Sequence, residues 1–471
     1  MNGFSSDAMV FFGATGDLAY KQIFPALQSL VRDEGFQMPI VGVAKAGWTL
    51  DQLKARAKDS LEKHGGIDSG AFEKLLSLLR YVDGDYNDPA TFVRLDEELG
   101  SARRPLNYLA VPPSLFAVVT ENLAKSGCGK NARLVIEKPF GHDLCSAQSL
   151  NRTLEQFFPE EDIFRIDHFL GKEPVQNILY TRFANPFFEP IWNRNYVSSI
   201  QITLAESFGV EDRGRFYDET GAIRDVVQNH LLQVLANLTM DPPTGEAREA
   251  LRDQTAALLK AVQPISTHAV VRGQYRGYRS VPGVAPGSTV ETFVAMKLFI
   301  DSWRWAGVPI FIRAGKLLPV TCTELVVHFK RPPRETFQEL VPAGSAHLRM
   351  RVSPEVAIGL GLRVKTPGER MVGDDVELTL KEHAANDMPP YERLLGDALR
   401  GNSDLFARKD LVMAQWRIVQ PVLDNVTPVY NYEPGSWGPP EAMQLIGSAG
   451  PWVDPVTTED PSSTGRRRSL Y

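Results

Sequence analysis

Ala8-Met9-Val10-Phe11-Phe12-Gly13-Ala14-Thr15-Gly16-Asp17 decides the fold of this chain. A short apolar run leads into a glycine turn, and apolar residues then recur at Ile23, Leu27, Leu30 and Val31 with helical spacing. That order is strand, turn, helix. A glycine turn in this place lets the backbone come close to a phosphate, and the following helix presents unpaired N–H groups to it. Gly13 and Gly16 supply the turn here, with Thr15, Asp17 and Leu18 around it. Pro25 interrupts the helical stretch, so a kink or a restart is expected there.

Working outward, Ile40 to Ala44 reads as a second buried strand, and Asn107 to Val111 and Leu134 to Ile136 as two more. Helical stretches such as Phe116 to Lys125 separate them. This is the βαβ rhythm of a doubly wound parallel sheet. Residues 1–166 are therefore expected to form an α/β Rossmann-like N-terminal domain. Beyond them Val290, Thr292, Val294, Met296, Leu298 and Ile300 alternate with their neighbours, the period of a strand with one buried face. Ile200, Ile202 and Leu204 do the same, and Leu348 to Val352 and Val376 to Leu380 repeat it more briefly. Residues 167–456 are expected to form an α+β domain with a large, mainly antiparallel sheet, meeting the first domain in a cleft. Residues 457–471, with Arg466-Arg467-Arg468, read as a mobile tail.

The 471 residues exceed what one hydrophobic core usually serves. With 51 Lys and Arg against 57 Asp and Glu, the net charge of -6 has the wrong sign for a chain whose main partner is nucleic acid. Cys128, Cys145 and Cys322 are too few and too widely spaced for a disulfide framework or a Cys-x-x-Cys metal motif. No apolar run reaches the ~20 residues that span a bilayer, and the start lacks the pattern of a signal peptide. A cytoplasmic protein with neither metal nor membrane is the expectation.

At the end of the second strand, NAD-selective domains usually place Asp or Glu against the ribose 2′-hydroxyl. Lys45 stands there instead, a cation suited to the 2′-phosphate of NADP. Arg165-Ile166-Asp167-His168-Phe169-Leu170-Gly171-Lys172-Glu173 then packs an acid, an imidazole and a lysine into six positions where the domain pattern changes. A polar loop whose charges satisfy each other is the alternative reading of that density.

The segment RIDHFLGKEPVQN resembles that of the glucose-6-phosphate dehydrogenase family. GATGDLA at the start, EKPFG at Glu137 to Gly141, RDVVQNHLLQ at Arg224 to Gln233, and FIRAGK at Phe311 to Lys316 resemble further motifs of that family, in the same order. The resemblance implies oxidation of glucose 6-phosphate at carbon 1 to 6-phosphoglucono-1,5-lactone with hydride transfer to NADP, the first step of the oxidative pentose phosphate pathway. It implies His230 as the general base and Asp167 as the group that orients it; imidazole titrates near neutrality and a carboxylate stabilises the imidazolium. It implies His168 and Lys172 as holders of the sugar phosphate, Glu206, Asp225 and Lys316 as sugar contacts, and Lys138, before a cis proline, between cofactor and substrate. It also implies a homodimer or homotetramer. Asp225 and His230 are five apart, roughly 140° around a regular helix, so spacing alone does not put both on one face.

The chain departs from the family pattern in several places. Phe169 stands where many members have Tyr, Thr321 where several bacterial relatives carry Lys, and Ser353 where some place Gln. Lys45 replaces a common Arg, Ala46 a polar neighbour, and Tyr20 a frequent Lys. A lysine lacks the planar fork that grips phosphate, so the cofactor preference is expected to be modest, with NAD open as a second acceptor. Two other readings stand beside this one: a sugar or inositol dehydrogenase of the wider oxidoreductase group, and a catalytically silent homologue.

Overall fold

The computed structural model describes residues 5–245, 248–334, 336–337, 346–382 and 388–456. It divides into two compact units: one of residues 1–173, 247–252 and 387–413, the other of residues 174–246, 253–386 and 414–471. The expected tail, 457–471, lies outside the described residues.

Six strands form the sheet of the first unit: β1 (Ala8–Phe12), β2 (Ile40–Ala44), β3 (Leu79–Asp83), β4 (Pro105–Leu109), β5 (Arg133–Glu137) and β6 (Ile163–Ile166). Their order is β3-β2-β1-β4-β5-β6, and every pairing is parallel. This is the strand order of dinucleotide-binding domains, in which the order of strands reverses between β1 and β4. After the turn at 13–16, a π-helical segment Ala19–Ile23 precedes an α-helix that begins at Phe24. Pro25 comes just after that π-helical segment, and the backbone at Leu18, Ile23 and Phe24 is helical, so the stretch changes its winding before Pro25 and does not break and restart there.

The chain returns to this unit late. Leu394, Leu395, Leu399 and Phe406 join Phe11, Phe24, Leu30 and Phe164 in one apolar core. Each such buried side chain contributes about 1.5–3 kcal/mol relative to exposure. Arg133 ties the segment down by donating to Leu399 O at 3.2 Å.

Nine strands form the sheet of the second unit: β7 (Val197–Ala205), β8 (Val270–Tyr275), β9 (Phe293–Leu298), β10 (Ile310–Gly315), β11 (Cys322–Phe329), β12 (His347–Ser353), β13 (Val356–Lys365), β14 (Gly373–Glu382) and β15 (Val429–Tyr432). Their order is β14-β13-β12-β11-β7-β10-β9-β8-β15, antiparallel except for β7 with β10 and β8 with β15. The expected long strand from Val290 to Ile300 is shorter, Phe293–Leu298, and Phe293 to Met296 are all buried. Both faces of β9 are therefore covered there, where the alternation predicted one.

The same correction applies to β7. Its polar residues Ser199, Gln201 and Thr203 are as buried as Ile200 and Ile202. They meet the C-terminal segment: Gln201 donates to Pro451 O at 3.0 Å and accepts from Val453 N at 2.8 Å. Arg313 on β10 donates to Thr203 Oγ1 at 3.0 Å, pairs with Asp454 at 2.8 Å, and lies 4.4 Å from the Trp437 ring and 4.9 Å from that of Trp452. At the sheet's other end Leu378 and Leu380 of β14 are 39% and 75% exposed.

Candidate active site

In the first unit the glycine turn is built from the backbone outward. Gly13 has φ 82°, donates to Val43 O at 2.9 Å and to Tyr86 Oη at 3.0 Å, and a Cβ at that position would lie 2.1 Å from Ala110 O. No residue with a side chain fits there. Gly16 N donates to Gly13 O at 2.9 Å, which closes the turn before the helical segment. The turn follows β1 at the point where strand order reverses, so these residues fit a dinucleotide phosphate. Thr15 is half-buried, Asp17 is exposed, and Leu18 packs against the core.

Lys45, predicted to meet a 2′-phosphate, extends from the end of β2 to Asp85 at 2.6 Å. Tyr20 is buried, its hydroxyl donating to Asp59. The Lys138–Pro139 bond is cis, as the resemblance implies.

Glu137, which the sequence reading passed over, closes β5 beside Lys138. Its carboxylate accepts from Tyr108 Oη, and Tyr391 is a second hydroxyl partner. Burial pushes this carboxyl up to about 7, Asp167 adds to the rise, and the two tyrosines and Lys138 oppose it. Lys138 and Asp167 are thus both electrostatic neighbours of Glu137. Between its ordinary value and about 7 the unfolded chain gives up this proton while the folded chain keeps it. Stability therefore falls as pH rises through that window and stays lower above it. Glu137→Gln should gain on the order of 2 kcal/mol over the parent chain at pH 8, with little difference at pH 4, as read by thermal melts across pH.

Asp167 is 4% exposed and follows β6 directly. Its Oδ1 accepts from Phe169 N at 3.0 Å and its carbonyl from Leu170 N at 2.9 Å, so the carboxylate caps a tight turn. Lys172 Nζ lies 4.0 Å from the centre of the Phe169 ring, and the His168 ring 5.2 Å from it. Phe169 is 6% exposed. It offers Lys172 a ring face where a tyrosine would add a hydroxyl.

In the second unit Glu206 and Lys316 each follow a strand of a parallel pair, β7 and β10, whose last residues Ala205 and Gly315 are in register. Lys316 Nζ pairs with Glu206 Oε2 at 2.6 Å. Lys316 also lies 4.9 Å from the Phe208 ring and 5.4 Å from that of Tyr217. Tyr217 is pushed well above its ordinary range, first by burial and then by the carboxylates of Asp225 and Glu206. Three predicted sugar contacts thus surround one tyrosine that the sequence reading did not single out. Thr321, which stands where the resemblance leads one to expect a second lysine, accepts from Ser207 N at 3.0 Å and steadies the residue after Glu206.

Asp225 and His230 lie on a π-helix, Ile223–Leu231. In a π-helix the hydrogen bond closes at i+5, so residues five apart stand one turn above each other. The angle expected from a regular helix is corrected accordingly: both face one side. His230 is 2% exposed. The π-helix starts after Gly221, where Glu291 Oε1 accepts from Ile223 N at 3.1 Å and Glu291 Oε2 pairs with Arg272 at 3.0 Å.

Comparison with known proteins places nearly the whole chain in one family. Residues 10–177 match the family described as glucose-6-phosphate dehydrogenase, NAD binding domain, and residues 179–453 the family described as glucose-6-phosphate dehydrogenase, C-terminal domain. The chain is thus a two-domain oxidoreductase with an NAD(P)-binding first domain. Glucose-6-phosphate 1-dehydrogenase 1 of Mycobacterium tuberculosis is 45% identical over 456 residues, covering 96% of this chain and 97% of that one. The crystal structure of glucose-6-phosphate 1-dehydrogenase from Mycobacterium avium is 46% identical with a TM-score of 0.90, covering 96% of this chain and 99% of that one. A glucose-6-phosphate dehydrogenase solved with its substrate is 34% identical with a TM-score of 0.87 and the same coverage. The chain belongs to the glucose-6-phosphate dehydrogenase family.

Proposed function

We infer that this chain oxidises glucose 6-phosphate at carbon 1, with NADP as hydride acceptor and 6-phosphoglucono-1,5-lactone as product. The observation that carries the reading is the family match across both domains, combined with a buried histidine on a π-helix that also bears Asp225. The glycine turn, Lys45 and Lys138 hold the cofactor, which supplies the hydride acceptor when bound. His230 takes the proton from the carbon 1 hydroxyl as the C–H bond gives up its hydride, so one proton and one hydride leave the sugar and a C=O bond forms. Asp167 orients and stabilises the histidine as it becomes cationic. His168 and Lys172 hold the sugar phosphate with charge-assisted hydrogen bonds, and Lys316, Glu206 and Asp225 hold the sugar hydroxyls.

The same reading makes the protein cytoplasmic and a homodimer or homotetramer. No helix among the described residues is long and apolar enough to cross a membrane, and a 40% identical relative from Solanum tuberosum is a cytoplasmic isoform. The exposed apolar face of β14 supports association. The test is a set of initial rates, read as reduced nicotinamide, crossing glucose 6-phosphate and free glucose with NADP and NAD. Glucose 6-phosphate should be strongly preferred, and equal rates with both sugars would defeat the reading. Lys172→Ala should raise the KM for glucose 6-phosphate about ten- to a hundredfold while kcat changes little, the loss expected for a hydrogen bond to a charged group.

A further inference from the structure

The loop after β3 carries a carboxylate that the cofactor reading has not used. Register Ala44↔Asp83 brings the ends of β2 and β3 side by side, and with them Lys45 and Asp85. Lys45 Nζ meets Asp85 Oδ2 at 2.6 Å, while Asp85 Oδ1 accepts from Asn87 N and Asn87 Nδ2, both at 2.9 Å. The carboxylate is therefore held in place. The other acid of this region is committed elsewhere: Asp83 Oδ1 accepts from Ala46 N at 3.0 Å, Gly47 N at 2.8 Å and Tyr81 Oη at 2.9 Å. The loop is also locked to the phosphate turn, because Tyr86 Oη accepts from Gly13 N at 3.0 Å and donates to Val43 O at 3.2 Å. Asp85 thus keeps a set position relative to the glycine turn.

An exposed ion pair of this kind adds little to stability, and Lys45 is 69% exposed, so fold stability does not account for it. The end of the second strand is where dinucleotide-binding domains read the adenosine ribose. An acid there accepts the 2′-hydroxyl of NAD, and a cation there takes the 2′-phosphate of NADP. This chain has both, the cation from β2 and the acid from the β3 side. We propose that Asp85 is a specificity-determining residue: it accepts the 2′-hydroxyl of NAD, and it weakens NADP binding by holding Lys45 and by repelling the 2′-phosphate. The chain then uses both cofactors with a small preference between them.

Equilibrium binding tests this without any sugar, so its outcome is independent of the substrate assignment. NADP, NAD and adenosine 2′,5′-bisphosphate are titrated calorimetrically into the full chain and into Asp85→Asn and Asp85→Glu, at two salt concentrations. Asp85→Asn should tighten NADP and the bisphosphate about three- to tenfold and weaken NAD by a similar factor, with the gain shrinking at high salt as exposed charges are screened. Asp85→Glu should restore part of the NAD affinity. Unchanged melting temperatures would show that the variants are folded. An NADP-to-NAD affinity ratio within about twofold of the parent in folded Asp85→Asn, well below the change expected from one charge-assisted hydrogen bond, would overturn the proposal.

Discussion

Replacing His230 by Asn should lower kcat by about 10²- to 10⁴-fold, the range that general-base catalysis supplies, while the KM for glucose 6-phosphate and the affinity for NADP change only a few-fold. Asn is close to His in size and retains hydrogen-bonding groups, but it accepts no proton at neutral pH. The hydroxyl proton of the sugar then has no acceptor as the hydride departs. His230 is 2% exposed, so bulk water is poorly placed to substitute. Initial rates and cofactor titrations on the same preparation separate the two effects. A variant keeping more than about a tenth of parental kcat would remove His230 from the role of base, since the smallest expected loss is about a hundredfold.

Gly221→Ala should have the largest effect on stability, lowering it by roughly 2–5 kcal/mol and the apparent Tm by several degrees. Gly221 has φ 66° and ψ 173°, a region essentially reserved for glycine. A Cβ there would lie 2.5 Å from Glu291 Oε1. That oxygen caps the first N–H of the π-helix, and Glu291 forms a buried pair with Arg272, whose side chains are 6% and 3% exposed. Moving Glu291 therefore uncaps the helix and strains a buried ion pair at once. Because Asp225 and His230 ride on this helix, kcat should fall together with Tm. Differential scanning calorimetry beside initial rates gives both readings, and a parental Tm in Gly221→Ala would contradict the account.

Much of the first domain was legible because its signals are local. The apolar run at Ala8 to Phe12, the glycine turn and the helix after it sit within about two dozen residues, and their periods and turn chemistry need no distant partner. The candidate site residues Asp167, His168, Lys172, Asp225, His230 and Lys316 were proposed in a different way, by resemblance of whole motifs, since singly each reads as an ordinary polar residue. Glu206 and Lys316 are found paired, but nothing in their local sequence announces it; the pairing follows from the parallel register of β7 and β10. Glu137, Tyr217 and Asp85 were missed for the same reason. Their partners, Tyr391, Lys316 and Lys45, are brought in by strand neighbours or by a late return of the chain.

By itself the sequence determined the class of fold, the order of its two sheets, the glycine turn and the family, because each of these is written in short-range period, turn chemistry or motif. Tertiary structure alone decided that residues 387–413 complete the first unit's core, that the polar face of β7 is covered by residues 451–456, and that Asp225 and His230 share one side of a π-helix. The physical reason is the same in each case. A polar residue on a strand looks solvent-facing until a distant backbone offers it a hydrogen bond, and the first N–H of the π-helix finds its acceptor in the distant Glu291. Those partners lie tens to hundreds of residues away, where periodicity carries no information.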